Sequence, residues 1–190
     1  MLALAAGPRL GRQIGRLLLF AALLPLFAGG RVPATIEVPD FALPQVGGGV
    51  FHLHGYSGPV LLAFLHLVPD SMDTPSRRQI AFLLSMQHQY ASRGLQVAIV
   101  DSSTLVTGKP VEKNALINAR YDLQLDVPLL EDADLRVVRR LAVTRAPTLI
   151  LLTRDRRIAQ RWDGLTGPAI LAQAIEQLGS ASLHHAGMAP

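Results

Sequence analysis

The sequence feature that most constrains the fold is a set of three short apolar runs. They are Val60–Leu65, Gln96–Asp101 and Thr148–Thr153, and polar residues occur only at their ends. Each run is too short for a helix of ordinary length, and a continuous apolar run of this size is typical of a strand buried on both faces of a sheet. Both faces of the sheet therefore need covering layers, which predicts an α/β fold.

The segments between these runs have helical patterns. Thr74 and Pro75 supply a hydroxyl cap and a proline at the first helical position, and apolar residues recur at helical spacing over Ile80–Tyr90. Gly94 is placed to end this helix. Weaker helical patterns lie at residues 112–119, 135–141 and 166–178.

The remaining segments predict loops, one extra strand and a hairpin. Ser102–Pro110 reads as a polar loop, and Phe51–His54 alternates like a short strand. Thr148–Thr153 and Ile158–Asp163 are separated only by Arg154–Arg157, which predicts a β-hairpin. The predicted order is β-β-α-β-α-β-α-β-β-α: a mixed central sheet with helices on both faces and an N-terminal β extension.

Residues 1–34 have the pattern of a targeting segment. A basic region ending at Arg16 precedes the apolar run Leu17–Ala28, whose 12 residues fall short of the roughly 20 needed to span a bilayer as a helix. This pattern is typical of a secretory signal, with possible cleavage at Val32–Ala34 or nearer Ala28; a short uncleaved anchor is the alternative. We expect an exported, extracytoplasmic domain at residues 35–179 and a flexible tail at 180–190.

The net positive charge of the chain comes from this N-terminal segment. The formal net charge is +4, and residues 1–34 hold four arginines and no acidic residue, so residues 35–190 are neutral overall. Nucleic-acid binding requires a cationic surface on the folded domain. We therefore expect no nucleic-acid partner, and membrane contact only if the N-terminal segment stays attached.

The chain contains no cysteine. This excludes disulfides, cysteine-based zinc sites, iron–sulfur clusters and thiol nucleophiles. Exported proteins form disulfides freely, so the compartment does not account for the lack of cysteine.

Five motifs occur in a fixed order along the chain. They are Pro39–Leu43, Gly58–Phe64, Ala146–Thr148 with the strand pair that follows, Asp163-Gly164, and the final helix. Together they resemble the thioredoxin-like superfamily in its redoxin branch, which includes exported thiol–disulfide proteins, peroxiredoxins and Sco-like copper chaperones. The resemblance spans about Pro39 to Leu178, which is most of the mature chain, and it implies a thioredoxin-like fold with a cis-proline before a late strand.

The chain departs from this family at the catalytic motif. Family members carry a cysteine pair where this chain has Leu65–Ser76, and the alternative alignments place Val68, Pro69, Ser71 or Met72 at the cysteine positions. None of these side chains can form a mixed disulfide, so we expect no disulfide reductase or peroxidase activity and no cofactor.

The resemblance implies a groove in which family members hold an extended peptide. Backbone pairing in such a groove needs no thiol, so we expect a peptide or protein partner. The candidate groove residues are His66, Val68, Pro69, Asp70, Ser71, Met72, Asp73, Thr74, Ala146 and Pro147.

Two other function classes remain open at this point. A non-thiol enzyme would use Asp70, Ser71, Asp73 or His66, although Asp73 and Thr74 are better interpreted as helix caps. A Sco-like metal carrier would use His66, with His52 and His54 as further histidines, but it would lack the family's two cysteine ligands.

An arginine-rich segment leaves a further choice open. Eight arginines fall within 136–161, where either a surface for an anionic partner or a solvated helix face and hairpin turn would explain them. The neighbouring acidic residues favour the second interpretation.

Overall fold

The computed structural model describes residues 36–67 and 74–186. Its centre is a five-stranded sheet in the order β5-β4-β3-β6-β7, in which β3, β4 and β5 are parallel and β6 and β7 are antiparallel to their neighbours. The strands are β3 (Val60–Leu65), β4 (Gln96–Asp101), β5 (Leu129–Glu131), β6 (Thr148–Leu152) and β7 (Ile158–Asp163).

Helices lie between these strands in the chain and after the last strand. They are α1 (Pro75–Tyr90), α2 (Ser103–Thr107), α3 (Lys113–Asp122), α4 (Arg136–Arg140) and α5 (Pro168–Ala186). Within the described residues, no helix is long and apolar enough to cross a membrane.

An N-terminal extension crosses one face of the sheet. Its strands β1 (Ala42–Pro44) and β2 (Val50–His52) pair with each other, and a 3-10 turn at Leu53–Gly55 follows. Glu37 bridges Arg157 at one edge of the sheet, while Gln45 bridges Leu130 at the other. The extension therefore spans the sheet and covers it.

The sheet separates two hydrophobic clusters. One cluster joins alternate residues of β3, such as Leu61 and Ala63, to α1, α3 and α5. The other joins Leu62 and Phe64 to α4 and the N-terminal extension. Among the described residues, the members of both clusters lie within residues 38–178.

The predicted fold class is confirmed, with differences in individual elements. Ser103–Thr107 forms a short helix inside the expected loop, because Ser103 bonds to Asp101 and starts a turn there. His54 lies in the 3-10 turn and not on a strand with His52. Helix α5 continues to Ala186, beyond the expected domain end at 179.

The hairpin turn also differs from its expected solvated character. Arg156 is only 5% exposed, has a φ of +58°, and donates from Nη1 to the Gly58 carbonyl oxygen at 2.9 Å. Burial lowers the pKa of this guanidinium, although nearby Asp155 and Asp40 oppose the shift. One of the eight arginines therefore ties the hairpin to the segment before β3.

Gly58 lies against the backbone of a second glycine. A Cβ atom at Gly58 would lie 1.9 Å from the Gly94 carbonyl oxygen, and the two glycines lie two residues before β3 and β4. Only glycine fits here.

Gly58→Ala is therefore expected to destabilise the domain by about 1–3 kcal/mol, the usual cost of overpacking. Urea unfolding followed by circular dichroism measures this. Gly167→Ala is the matched control, since nothing lies within 4 Å of a Cβ there. Equal stabilities of the two variants would contradict the assignment.

Candidate functional site

Four of the ten candidate groove residues lie in the described part of the chain: His66, Thr74, Ala146 and Pro147. Antiparallel pairing of Phe64 with Thr148 sets the end of β3 beside the start of β6. His66, after the end of β3, and Pro147, before the start of β6, therefore lie at the same end of these two neighbouring strands. The other six candidates, Val68, Pro69, Asp70, Ser71, Met72 and Asp73, lie outside the described residues.

Three serine hydroxyls hold the backbone where β3 ends. Ser102 Oγ donates to the Leu65 carbonyl oxygen at 3.0 Å, Ser76 Oγ accepts from the His66 N–H at 3.0 Å, and Ser103 Oγ accepts from the Leu67 N–H at 2.9 Å. All three serines are at most 2% exposed. Residues 65–67 are thereby fixed in direction before the candidate loop begins.

Asp101, at the end of β4, supports one of these serines. Its Oδ1 accepts hydrogen bonds from Ser103 Oγ at 2.5 Å and from the Ser103 N–H at 3.2 Å. Burial raises the pKa of Asp101, while the Ser103 hydrogen bonds and the nearby His66 act in the opposite direction. The carboxyl group therefore orients the hydroxyl that holds Leu67.

Helix α1 begins as the sequence predicts. Thr74 has an extended backbone, its Oγ1 accepts from the Arg77 N–H at 3.2 Å, and Pro75 occupies the first turn. The capping interpretation of Thr74 is confirmed, and this hydroxyl is engaged in structure.

Pro147 is buried, and the Ala146–Pro147 peptide bond is cis. The Pro147 carbonyl oxygen accepts from the Gly164 N–H at 2.8 Å. Ala146 is half-buried and makes no backbone hydrogen bond with any other described residue. We call the surface around Ala146, Pro147, Gly164 and Leu165 the proline surface.

Thr148 and Asp163, which are next to Pro147 and Gly164 in the chain, form a hydrogen bond that links the two strands behind this surface. Thr148 Oγ1 donates to Asp163 Oδ1 at 2.9 Å and lies 2.8 Å from the Arg145 carbonyl oxygen. Burial acts to raise the pKa of Asp163, but hydrogen bonds from Arg161 and Thr148 outweigh it, so that pKa lies below its ordinary value. The ionised carboxylate of Asp163 is thus favoured, and it accepts hydrogen bonds from Thr148 and Arg161.

Sequence reasoning missed a buried glutamine that ties α1 to the proline surface. Gln79 is fully buried; its Oε1 accepts from the Thr166 N–H at 2.8 Å, and its Nε2 donates to the Thr166 carbonyl oxygen at 3.1 Å. The only sequence signal is a polar residue next to Ile80 on the inward face of the helix. Leu165 and Ile170, on either side of Thr166, are 44% and 53% exposed.

The described residues supply little for acid–base or metal chemistry. The Nδ1 atom of His66 is buried without a hydrogen-bond partner. The serines beside it are at most 2% exposed, and each forms a hydrogen bond with the backbone of residues 65–67. No group of three or more potential metal ligands occurs among the residues that are described.

Comparisons with known proteins give a fold-level result. No family model matches the chain, and neither does any curated protein. Solved structures do match it. A putative thiol:disulfide interchange protein DsbE from Chlorobium tepidum superposes with a TM-score of 0.64 at 22% identity, covering 75% of this chain and 94% of that one. The fold is thioredoxin-like.

Two further structures support this assignment. A putative thioredoxin from Neisseria meningitidis gives a TM-score of 0.63 at 18% identity, covering 75% of this chain and 89% of that chain. Peroxidoxin BcpB from Mycobacterium tuberculosis gives 0.60 at 19% identity, covering 76% and 95%. The predicted resemblance is confirmed in fold, and this thioredoxin-like chain has no cysteine.

The raised pKa of Asp101 generates a pH-dependent prediction. Because its folded-state pKa lies above the ordinary value of 3.8, ionisation disfavours the folded state as pH rises from 3.8 through the raised value. Asp101→Asn removes that titration and retains an acceptor for Ser103. The variant is expected to gain stability relative to the parent protein as pH rises through this window.

Urea unfolding of both proteins, from below pH 3.8 to neutral pH, measures this difference. Asp134→Asn is the control, since the Asp134 side chain is 66% exposed. A stability difference for Asp101→Asn that does not change with pH would contradict the assignment.

Proposed function

We propose that this chain is an exported protein whose thioredoxin-like domain binds an extended peptide or protein segment at the proline surface, without thiol–disulfide exchange. The observation that carries the proposal is that the backbone of Ala146 pairs with no other described residue, in a chain that contains no cysteine. A fold of this class retains a place for a peptide even where the thiol chemistry is absent.

The backbone of Ala146 provides the polar part of the recognition. Its N–H and C=O groups make no hydrogen bond to another described residue, although Ala146 is partly buried. Partly buried backbone groups need partners, and an extended peptide pairs with such groups as an added strand does. The adjacent Pro147 carbonyl is already occupied by Gly164, which limits the pairing to Ala146.

Exposed apolar side chains provide the second part. Leu165 directly follows Gly164, and Ile170 lies in the first turn of α5. Both are large apolar side chains with about half of their surface in solvent. We propose that the binding surface extends from the proline surface to Ile170 and that it favours a peptide with apolar side chains.

The export part of the proposal is supported by the sequence. Residues 1–34 combine arginines, an apolar run and small residues in the order of a secretory signal.

The domain of residues 35–190 is expected to show no disulfide reductase and no peroxidase activity, because no side chain can form a mixed disulfide. Reduction of insulin with dithiothreitol measures the first activity, with a thioredoxin as positive control, and consumption of hydrogen peroxide measures the second, with a peroxiredoxin as positive control. Turnover above the dithiothreitol background would contradict the proposal.

Peptide binding is expected to depend on the proline surface. A peptide selected from a display library against residues 35–190 would be titrated by fluorescence anisotropy. Leu165→Ser and Ile170→Ser should each weaken binding about tenfold, since burying such a side chain is worth roughly 1.5–3 kcal/mol.

Val106→Ser is the matched control, because Val106 is 56% exposed and lies in α2, outside the proline surface. The control should leave the dissociation constant unchanged. A selected peptide whose affinity is insensitive to Leu165→Ser and Ile170→Ser, or equally sensitive to Val106→Ser, would overturn the location of the site.

A further inference from the structure

A second candidate site lies on the opposite face of the sheet from α1. A cleft of about 240 Å³ opens between α4 and the N-terminal extension. It is lined by Asp40, Phe41, Ala42, Arg136, Val137 and Arg140.

The cleft contains two arginines at helical spacing. Arg136 and Arg140 stand at the two ends of α4, four residues apart, so they lie on the same face of the helix. Val137, between them on the inward side, is buried in the second core cluster. This burial fixes the rotation of the short helix and directs both guanidinium groups into the cleft.

Each guanidinium is positioned by a backbone carbonyl and retains further donors. Arg140 donates from Nη1 to the Asp40 carbonyl oxygen at 3.1 Å, and Arg136 donates from Nη2 to the Ala42 carbonyl oxygen at 3.5 Å. The Nε atom of Arg136 also lies 3.8 Å from Asp134 Oδ2. Since a guanidinium has five N–H donors, most of them remain available to a ligand.

The hydrogen-bond donors of the cleft favour a ligand with several acceptor oxygens. Like charges four residues apart on a helix repel each other. Among the described residues, Asp40 is the only acidic residue that lines the cleft, and Asp134 lies 3.8 Å from the Nε atom of Arg136. These two carboxylates balance the formal charge of the two arginines, so recognition of a ligand rests on the remaining guanidinium N–H donors. A phosphomonoester carries about −1.5 to −2 charges at neutral pH and presents three acceptor oxygens to paired guanidinium groups.

We propose that the cleft between Arg136, Arg140 and Asp40–Ala42 binds a phosphomonoester group. The group comes from a soluble phosphate ester or from the headgroup of phosphatidic acid. Arg139, on the same helix, lies outside this site. It donates from Nη2 to the Asp134 carbonyl oxygen at 2.5 Å and does not line the cleft.

The test uses residues 35–190, which contain all the described members of both core clusters. Inorganic phosphate is titrated while amide resonances of residues 40–42 and 136–140 are followed by NMR, with acetate as a singly charged comparison. Vesicles of phosphatidylcholine with phosphatidic acid are compared with vesicles in which phosphatidylglycerol supplies the same total charge. The first probe reports on a soluble source and the second on a lipid source.

Arg136→Gln and Arg140→Gln should each weaken binding at least about tenfold, as expected for loss of a hydrogen bond to a charged group. Arg139→Gln removes the same charge from the same helix and should change the affinity little. Arg140→Lys separates charge from geometry, because a lysine keeps the charge and lacks the planar donor pair. Thermal unfolding checks each variant, and Arg136→Gln decides if Arg140→Gln does not fold.

Saturable binding of either probe, lost in Arg136→Gln and retained in Arg139→Gln, supports the site and identifies its source. Equal weakening by Arg136→Gln and Arg139→Gln would show diffuse charge attraction and overturn it. Equal binding of acetate, or of phosphatidylglycerol vesicles, would overturn the dianion assignment. Absence of saturable binding to every probe would also overturn the proposal.

Discussion

Complete burial of the central strand is the constraint on which the rest of the structure depends. Val60–Leu65 is 0% exposed along its whole length, between the parallel β4 and the antiparallel β6. Its backbone groups pair with both neighbours, and its side chains pack into both core clusters. Polar groups can therefore appear only beyond its ends, where Gly58 approaches Gly94 and where three serines hold residues 65–67.

The polar groups beyond β3 stabilise the backbone and leave little for chemistry. Ser76, Ser102 and Ser103 lie where a nucleophile could act, but each binds the main chain of residues 65–67. Asp101 is committed to Ser103 in the same way. In this thioredoxin-like fold without cysteine, these polar groups hold the backbone at the end of β3, and recognition by backbone and apolar contacts is the function that we propose for the neighbouring proline surface.

Much of the architecture could be predicted because it depends on local patterns. The apolar runs predicted β3, β4 and β6, and Thr74-Pro75 predicted the start of α1. The short helix α2 could not be predicted, because it depends on the contact of Ser103 with Asp101 and Leu67. Gln79 and Arg156 were not predicted either: each is polar by type, yet each is buried against a backbone group from a distant part of the chain.

The sequence by itself determined that the domain is α/β, that it resembles the redoxins and that thiol chemistry is absent, since apolar periodicity and the lack of cysteine need no coordinates. Only the tertiary structure decided which polar residues act together. The pairing of Phe64 with Thr148 brings His66 and Pro147 to the same end of the neighbouring strands β3 and β6. Residues 40–42 lie beside α4, and together with Arg136 and Arg140 they form a cleft. Both depend on contacts between residues far apart in the chain, which local sequence patterns do not encode.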